Sequence, residues 1–309
     1  MALGGTTAAA AAGSSFTTQG PANLNPQTAV SALTTDISAS FNGVLADAYP
    51  AGIWAKPLGN AKSAGIAVAT VDTGSPGSAA TFHVGASKEG LGAALAQQFA
   101  KALGPGAHGS IQPGICVPGL DVLTSAITGF TAEMKKLEPQ VSVASALNVT
   151  GAPDTNYAAW SRIIQQEPHE LGFFGVCDQD TPSLIKVKSA STSARYLIGT
   201  VSGDDVAAIQ AVASGKMTAL VGQNGFVQGY LAAKYMLSQL QQHTPMPVGW
   251  LSSGLEVITK ANASAAIAVR QANTAAAYLK YYASDIKTAE AAAAGHLPPV
   301  SAQLTTLNP

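Results

Sequence analysis

The chain has 309 residues, enough for two domains of ordinary size, and 47% are apolar, so two cores can be filled. Charged residues make up 11%, with 16 basic against 17 acidic side chains and a net charge of −1. This excludes the clustered basic surface of a nucleic-acid binder and the polybasic segment of a membrane-surface protein, and no apolar run is long enough to span a bilayer.

In chain order, short β-rich apolar runs alternate with amphipathic helical stretches, the pattern of βαβ units and a mostly parallel sheet. Residues 1–13 are alanine-rich, carry no Lys or Arg, and do not read as a secretory leader. Residues 2–12 read as a helix, 15–18 as a strand ended by Gly20-Pro21, and Asn25-Pro26 opens a helix with Val30, Leu33 and Ile37 on one face. Residues 43–46 are a strand, 57–64 a helix, 66–71 a buried strand and 81–84 another. A helix over 88–103 puts Leu91, Leu95 and Phe99 in register and stops at Gly104-Pro105-Gly106.

The pattern then restarts. Strands are expected at 110–115, 141–146, 171–176, 195–200 and 217–221, with helices over 120–137, 156–166, 182–188 and 204–214 between them. A long helix over 226–241, a late strand at 255–259 and an alanine-rich helical tail over 261–294 complete the chain. Two sets of strands interleaved with helices predict two similar lobes. The long helix and the late strand fit neither set in simple order, so the chain crosses between lobes more than once.

The chemistry-bearing motifs are few. No Gly-x-Ser-x-Gly elbow, Walker A loop or Rossmann glycine fingerprint is present, so no enzyme class is indicated. The five histidines are scattered and none stands at metal-ligand spacing from a cysteine, so neither a metal nor another cofactor is expected.

Several segments resemble the periplasmic sugar-binding proteins of the ribose- and galactose-binding type, the solute-binding proteins of ABC importers. Gly65-Ile66-Ala67-Val68-Ala69-Thr70-Val71-Asp72 is similar to the family's fourth strand, which ends in a ligand-binding Asp. Gly119-Leu120-Asp121-Val122-Leu123 with Ile127-Thr128-Gly129-Phe130 resembles the first helix of the second lobe. Gly175-Val176-Cys177-Asp178-Gln179-Asp180 resembles the strand end that carries an Asn or Asp contact, and Gly222-Gln223-Asn224 the crossover before the long helix. The resemblance implies an α/β protein of two Rossmann-like lobes, each a parallel sheet of order 2-1-3-4-5, joined by a three-crossover hinge near Ala86, Gln223 and Ser253. The lobes are expected over 1–85 plus 224–252, and over 86–223 plus 253–309 with the helical tail. The family's first strand has no counterpart, so the chain reads as truncated at its start, with any signal sequence ahead of that point. The family's Arg falls near Thr124 or Ala126, and its Asp after the fourth second-lobe strand near Val201.

The resemblance implies that Asp72, Asp178, Gln223 and Gln179 contact a ligand at strand ends, with Tyr157, Thr124 and Trp54 as further candidates. Each has a plainer reading beside it. Asp72 can be a turn former, Gln223 a hinge hydrogen bond, and Trp54 a core residue. Asp180-Thr181-Pro182 reads as a helix start. In the 2-1-3 order Cys116 and Cys177 end neighbouring strands, within disulfide range, so they are either a bridge, which implies an oxidising compartment, or two buried thiols. The function implied is binding of a sugar or polyol between the lobes by hinge closure, outside the cytoplasm, as a monomer that docks on a membrane permease. The same fold also serves as the effector-binding region of LacI-type regulators and as a ligand-presenting sensor.

Overall fold

The computed structural model describes residues 1–21, 25–38, 41–190 and 195–306; the side chains of Ile37 and Ser38 lie outside this description. The chain divides into two compact units. The first comprises Met1–Ala86, Asn224–Gly254 and Thr274–Gln303, and the second Ser87–Gln223, Leu255–Asn273 and the residues from Leu304 onward.

In the first unit, β1 (Gly43–Ala46), β2 (Ala67–Val71), β3 (Phe82–Gly85) and β10 (Gly249–Ser252) form a four-stranded sheet in the order β1-β2-β3-β10, all parallel. Its helices are α1 (Ala2–Ala11), α2 (Pro26–Ser38), α3 (Ala55–Ser63), α9 (Gly225–Gln242), α11 (Ala275–Tyr281) and α12 (Ala283–Ala293). Asn25 starts α2: its Oδ1 accepts from the Thr28 amide at 3.1 Å, and Pro26 takes the first helical position, where no N–H is needed. Every residue of β2 is buried because both faces of the sheet are covered. Ala67, Ala69 and Val71 join Phe226, Leu231, Tyr282 and Ile286 on one side, while Ile66 and Val68 join Leu33, Trp54 and Leu58 on the other. Helix α1 lies directly on α9. A Cβ at Gly4 would stand 2.1 Å from the Phe226 carbonyl oxygen and one at Gly229 2.2 Å from that of Met1, so both positions require glycine.

Residues 15–18, expected as a strand, are not one. No described strand flanks them to supply a ladder. Phe16 instead sets its ring against α1, where a Cβ at Gly5 would meet it at 2.5 Å. Strand β10, between Pro247 and Ser253-Gly254, was not expected from the sequence.

The second unit contains β4 (Gly109–Ile115), β5 (Val141–Val143), β6 (Leu147–Asn148), β7 (Gly172–Gly175), β8 (Leu197–Thr200), β9 (Ala219–Gly222) and β11 (Glu256–Ile258). Their order is β11-β9-β8-β7-β4-β5, with β6 also on β4. Read from β5, the parallel part has the expected 2-1-3-4-5 order, and the late strand β11 adds to β9 antiparallel. The helices are α4 (Lys88–Leu103), α5 (Asp121–Leu137), α6 (Pro153–Gln166), α7 (Asp180–Ser189), α8 (Val206–Ala213) and α10 (Ala263–Ala272). Glycines again bring two helices together: a Cβ at Gly92 of α4 would lie 1.7 Å from the Ala126 carbonyl oxygen, and one at Gly129 of α5 2.0 Å from that of Glu89.

The helical tail differs most from its sequence reading. It is three helices rather than one, broken where Asn273 turns left-handed (φ 46°) and Thr274 caps α11 by accepting from the Ala277 amide. The tail was expected with the second lobe, yet residues 274–303 belong to the first unit. There Tyr278 and Tyr282 stack on Phe226, and Ile286, Ala289 and Leu297 enter its core. The chain accordingly passes between units at 86–87, 223–224 and 254–255, and twice more at 273–274 and 303–304.

Candidate functional site

Parallel strands deliver their C-terminal ends to one edge of a sheet, where loops are free of ladder constraints and ligands are generally bound. In the first unit that edge carries two carboxylates. β1 runs directly into Asp47, which is exposed, and β2 into Asp72, which is half-buried. Asp72 is held in the left-handed region (φ 58°), an uncommon conformation for any side chain but one that Asp tolerates. Its amide donates to the Val84 carbonyl at 3.0 Å, and its own carbonyl accepts from the side-chain amide of Gln303 at 2.5 Å. Asp47 was not singled out in the sequence; the signal was available, since it ends the strand paired with β2.

Trp54 does not join this edge. It is 4% exposed, packs with Leu33, Leu58 and Val68, and gives its indole N–H to the Tyr49 carbonyl at 3.0 Å. The expectation that it contacts a ligand is corrected: the loop after β1 turns it into the core.

In the second unit, Cys116 and Cys177 form a disulfide with Cα atoms 6.2 Å apart, joining the ends of β4 and β7. The Cys116 amide also donates to Cys177 Sγ at 3.2 Å. Asp178 follows the bridge and is exposed; Gln179, half-buried, precedes α7. Asp180 does not cap α7 with its side chain. Its carboxylate is fully buried and accepts from Asn156 Nδ2 at 2.8 Å, Trp160 Nε1 at 2.9 Å and the Cys177 amide at 2.9 Å. Burial pushes its pKa up to about 6 despite these donors. The bridge and this buried carboxylate together fix the backbone on both sides of Asp178.

At the end of β8, Ser202 is 7% exposed, and its hydroxyl has no hydrogen-bond partner among the described residues. A buried hydroxyl without a partner is costly unless something else satisfies it. Gln223, one residue past β9, is half-buried and accepts from the buried Lys88 ammonium at 2.5 Å. It therefore ties the start of α4 to the second passage between units. Beside it, Asn224 (φ 50°) is fully buried and donates to the Ser253 carbonyl at 3.0 Å, joining the second and third passages within the first unit.

Tyr157 and Thr124 are engaged locally. The Lys186 ammonium lies 4.0 Å from the centre of the Tyr157 ring, between α6 and α7. Thr124 is exposed in the first turns of α5, its hydroxyl donating to the Leu120 carbonyl at 3.1 Å. No group of three or more His, Cys, Asp or Glu among the described residues can hold a metal ion, and no helix there is long and apolar enough to cross a membrane.

Two α/β units, each built on a mostly parallel sheet with polar side chains at its strand ends, form the architecture in which ligands are bound at the C-terminal edge of the sheet. The chain belongs to the periplasmic binding protein domain family, whose model matches residues 1–244. That family consists of binding proteins of transporters, not enzymes. Among solved structures, the chain is similar to a solute-binding protein from Burkholderia graminis in complex with D-arabinose, at 23% identity and a TM-score of 0.76, over 84% of this chain and 90% of the other. A solute-binding protein from Agrobacterium vitis bound to α-D-tagatopyranose is 22% identical at a TM-score of 0.75, with 84% and 89% covered. An arabinose-binding protein from Geobacillus stearothermophilus is 20% identical at 0.72, with 84% and 91% covered. No curated protein matches the sequence.

Proposed function

We propose that this chain is the solute-binding component of an ABC importer and takes a small sugar or polyol. The observation that carries the reading is the set of polar groups at the strand ends: Asp47 and Asp72 in one unit, Asp178 and the partnerless buried hydroxyl of Ser202 in the other. Carboxylates accept charge-assisted hydrogen bonds from sugar hydroxyls, and one carboxylate can serve two hydroxyls at once. Similar proteins in complex with D-arabinose and α-D-tagatopyranose support this ligand class. Binding draws the two units together over the ligand, and the closed form docks on a membrane permease. A disulfide fits an oxidising site of action outside the cytoplasm.

The test is thermal shift followed by calorimetric titration with D-arabinose, D-tagatose, D-allose, other pentoses and hexoses, and the matching polyols. A true ligand at about 100 times its Kd stabilises by about 2.7 kcal/mol. Asp72→Ala and Asp178→Ala should each weaken it by about tenfold or more, the loss of a charge-assisted hydrogen bond. The carbohydrate reading fails if no sugar or polyol shifts melting, or if both variants bind as the wild type does.

A further inference from the structure

The segment after α12 lies beyond the residues that the family model matches, yet it reaches the most distinctive backbone position of the first unit. Residues 300–304 form a short 3-10 turn. Val300 packs at the end of β2, where a Cβ on Gly74 would meet its Cγ1 at 2.5 Å. Gln303 is 2% exposed, and its single side-chain nitrogen donates twice: to the Asp72 carbonyl at 2.5 Å and to the Ala86 carbonyl at 3.1 Å. Those two carbonyls belong to the left-handed residue that ends β2 and to the last residue before the first passage between units. Gly85 makes the room: a Cβ there would stand 2.4 Å from the Gln303 nitrogen. Three residues further on, within the second unit, the Thr306 carbonyl accepts from the Ser87 hydroxyl, which also caps α4 by accepting from the Gly90 amide at 2.8 Å.

We infer that Gln303 is a positioning residue for the ligand site, and that the C-terminal tail is a strap whose amide sets the backbone of Asp72 and of the first passage together. This rests on the proposed reading of Asp72 as a ligand contact. A left-handed Asp carries a conformational cost, and a donor on its carbonyl is what offsets it here. A buried glutamine amide is costly to place unless both its protons are used, and two carbonyls one strand apart use them. The tail thereby sets affinity at a residue some 230 positions away in sequence.

The experiment compares wild type with Gln303→Met, which keeps length and apolar volume but removes the donors. Its first arm needs no ligand. Amide exchange should quicken at Asp72 and Thr73, whose amides donate to Val84 and Val71, while β7 and α9 keep their protection. Its second arm titrates D-arabinose and the other sugars named above. Gln303→Met should weaken binding about five- to tenfold, the worth of about one hydrogen bond. In an Asp72→Ala background the same change should cost nothing further, because its effect passes through Asp72. Unchanged exchange at 72–73 overturns the inference. So does altered exchange with unaltered affinity, or an affinity loss fully additive with Asp72→Ala. A wild type that binds none of the sugars or polyols removes the proposed function first and this inference with it. A wild type that binds while Gln303→Met binds equally well removes the inference alone.

Discussion

Asp180 shows how a single side chain can carry a cost and still be indispensable. Its carboxyl is moved from an ordinary 3.8 to about 6, chiefly by burial, while Asn156, Trp160 and the Cys177 and Val176 amides partly hold it down. A folded-state pKa above the unfolded one means that the native protein binds the proton more tightly. The group's contribution to stability is therefore fullest below about pH 4 and is lost as pH rises through 6, a change on the order of 3 kcal/mol. Asp180→Asn should abolish this dependence. Its destabilisation relative to wild type should be largest near pH 4 and smaller by about that amount at pH 7, read by urea unfolding across the range. A penalty that stays constant with pH would contradict this. The placement of Asp72 directly after a buried strand, and of Asp178 a few residues past another, was legible because a carboxylate closing an apolar run is a pattern in the string itself. That of Trp54 was not, because whether an aromatic faces a ligand or a core depends on what covers it, and Leu33 and Val68 do so from distant positions. Asp180 does start α7, as its sequence suggests, but its acceptor role was not legible because it needs Trp160 and Asn156, which only the folded chain brings near.

Between elements, a buried charge network decides where the late segments go. Arg270 of α10 has a side chain 7% exposed and bonds both oxygens of Glu256 on β11, at 3.0 and 2.5 Å, as well as Asp204 at 2.7 Å. Glu256 is equally enclosed at 6%, whereas Asp204 is 46% exposed, so the Arg270–Glu256 pair is the energetically sensitive one. Arg270→Ala should destabilise the second unit by about 3–5 kcal/mol, since it strands the Glu256 carboxylate in the interior. Combining Arg270→Met with Glu256→Leu should recover most of that loss, measured by equilibrium unfolding; a double variant no better than the single would show that packing, not charge, was lost. This network keeps α10 in the second unit, while the tyrosine stack on Phe226 takes α11 and α12 to the first. Neither choice is written in the alanine-rich composition of 261–294, which specifies helix but no destination. The helices of the second unit and all its strands but β6 were legible because their periodicity is local, whereas β6 is two residues long. Strand β10 was not legible, because Pro245 and Pro247 before it and Ser253-Gly254 after it mark the stretch as loop.

At the scale of the molecule, each unit has an interior of its own, and the covalent link belongs to one of them. Cys116 and Cys177, 61 residues apart, close a loop confined to the second unit. In the chain-entropy account such a loop stabilises by about 4 kcal/mol. For a unit of this size that corresponds to roughly 8–16 °C in melting temperature. The bridge also sits at the strand ends, where it holds the backbone before Asp178, so its removal should reach the proposed site as well as the core. Reduction, or the paired change Cys116→Ala and Cys177→Ala, should therefore lower the melting of the second unit by that amount. Amide exchange should rise around β4, β7 and Asp178 while β1, β2 and β3 stay as protected as before. Exchange that rises equally in both units would show that they unfold as one cooperative body, and the independent-interior account would be wrong. If the localised pattern holds, a ligand of the proposed class added to the reduced protein should restore protection around β7 and Asp178, since binding to the folded form alone stabilises it by mass action.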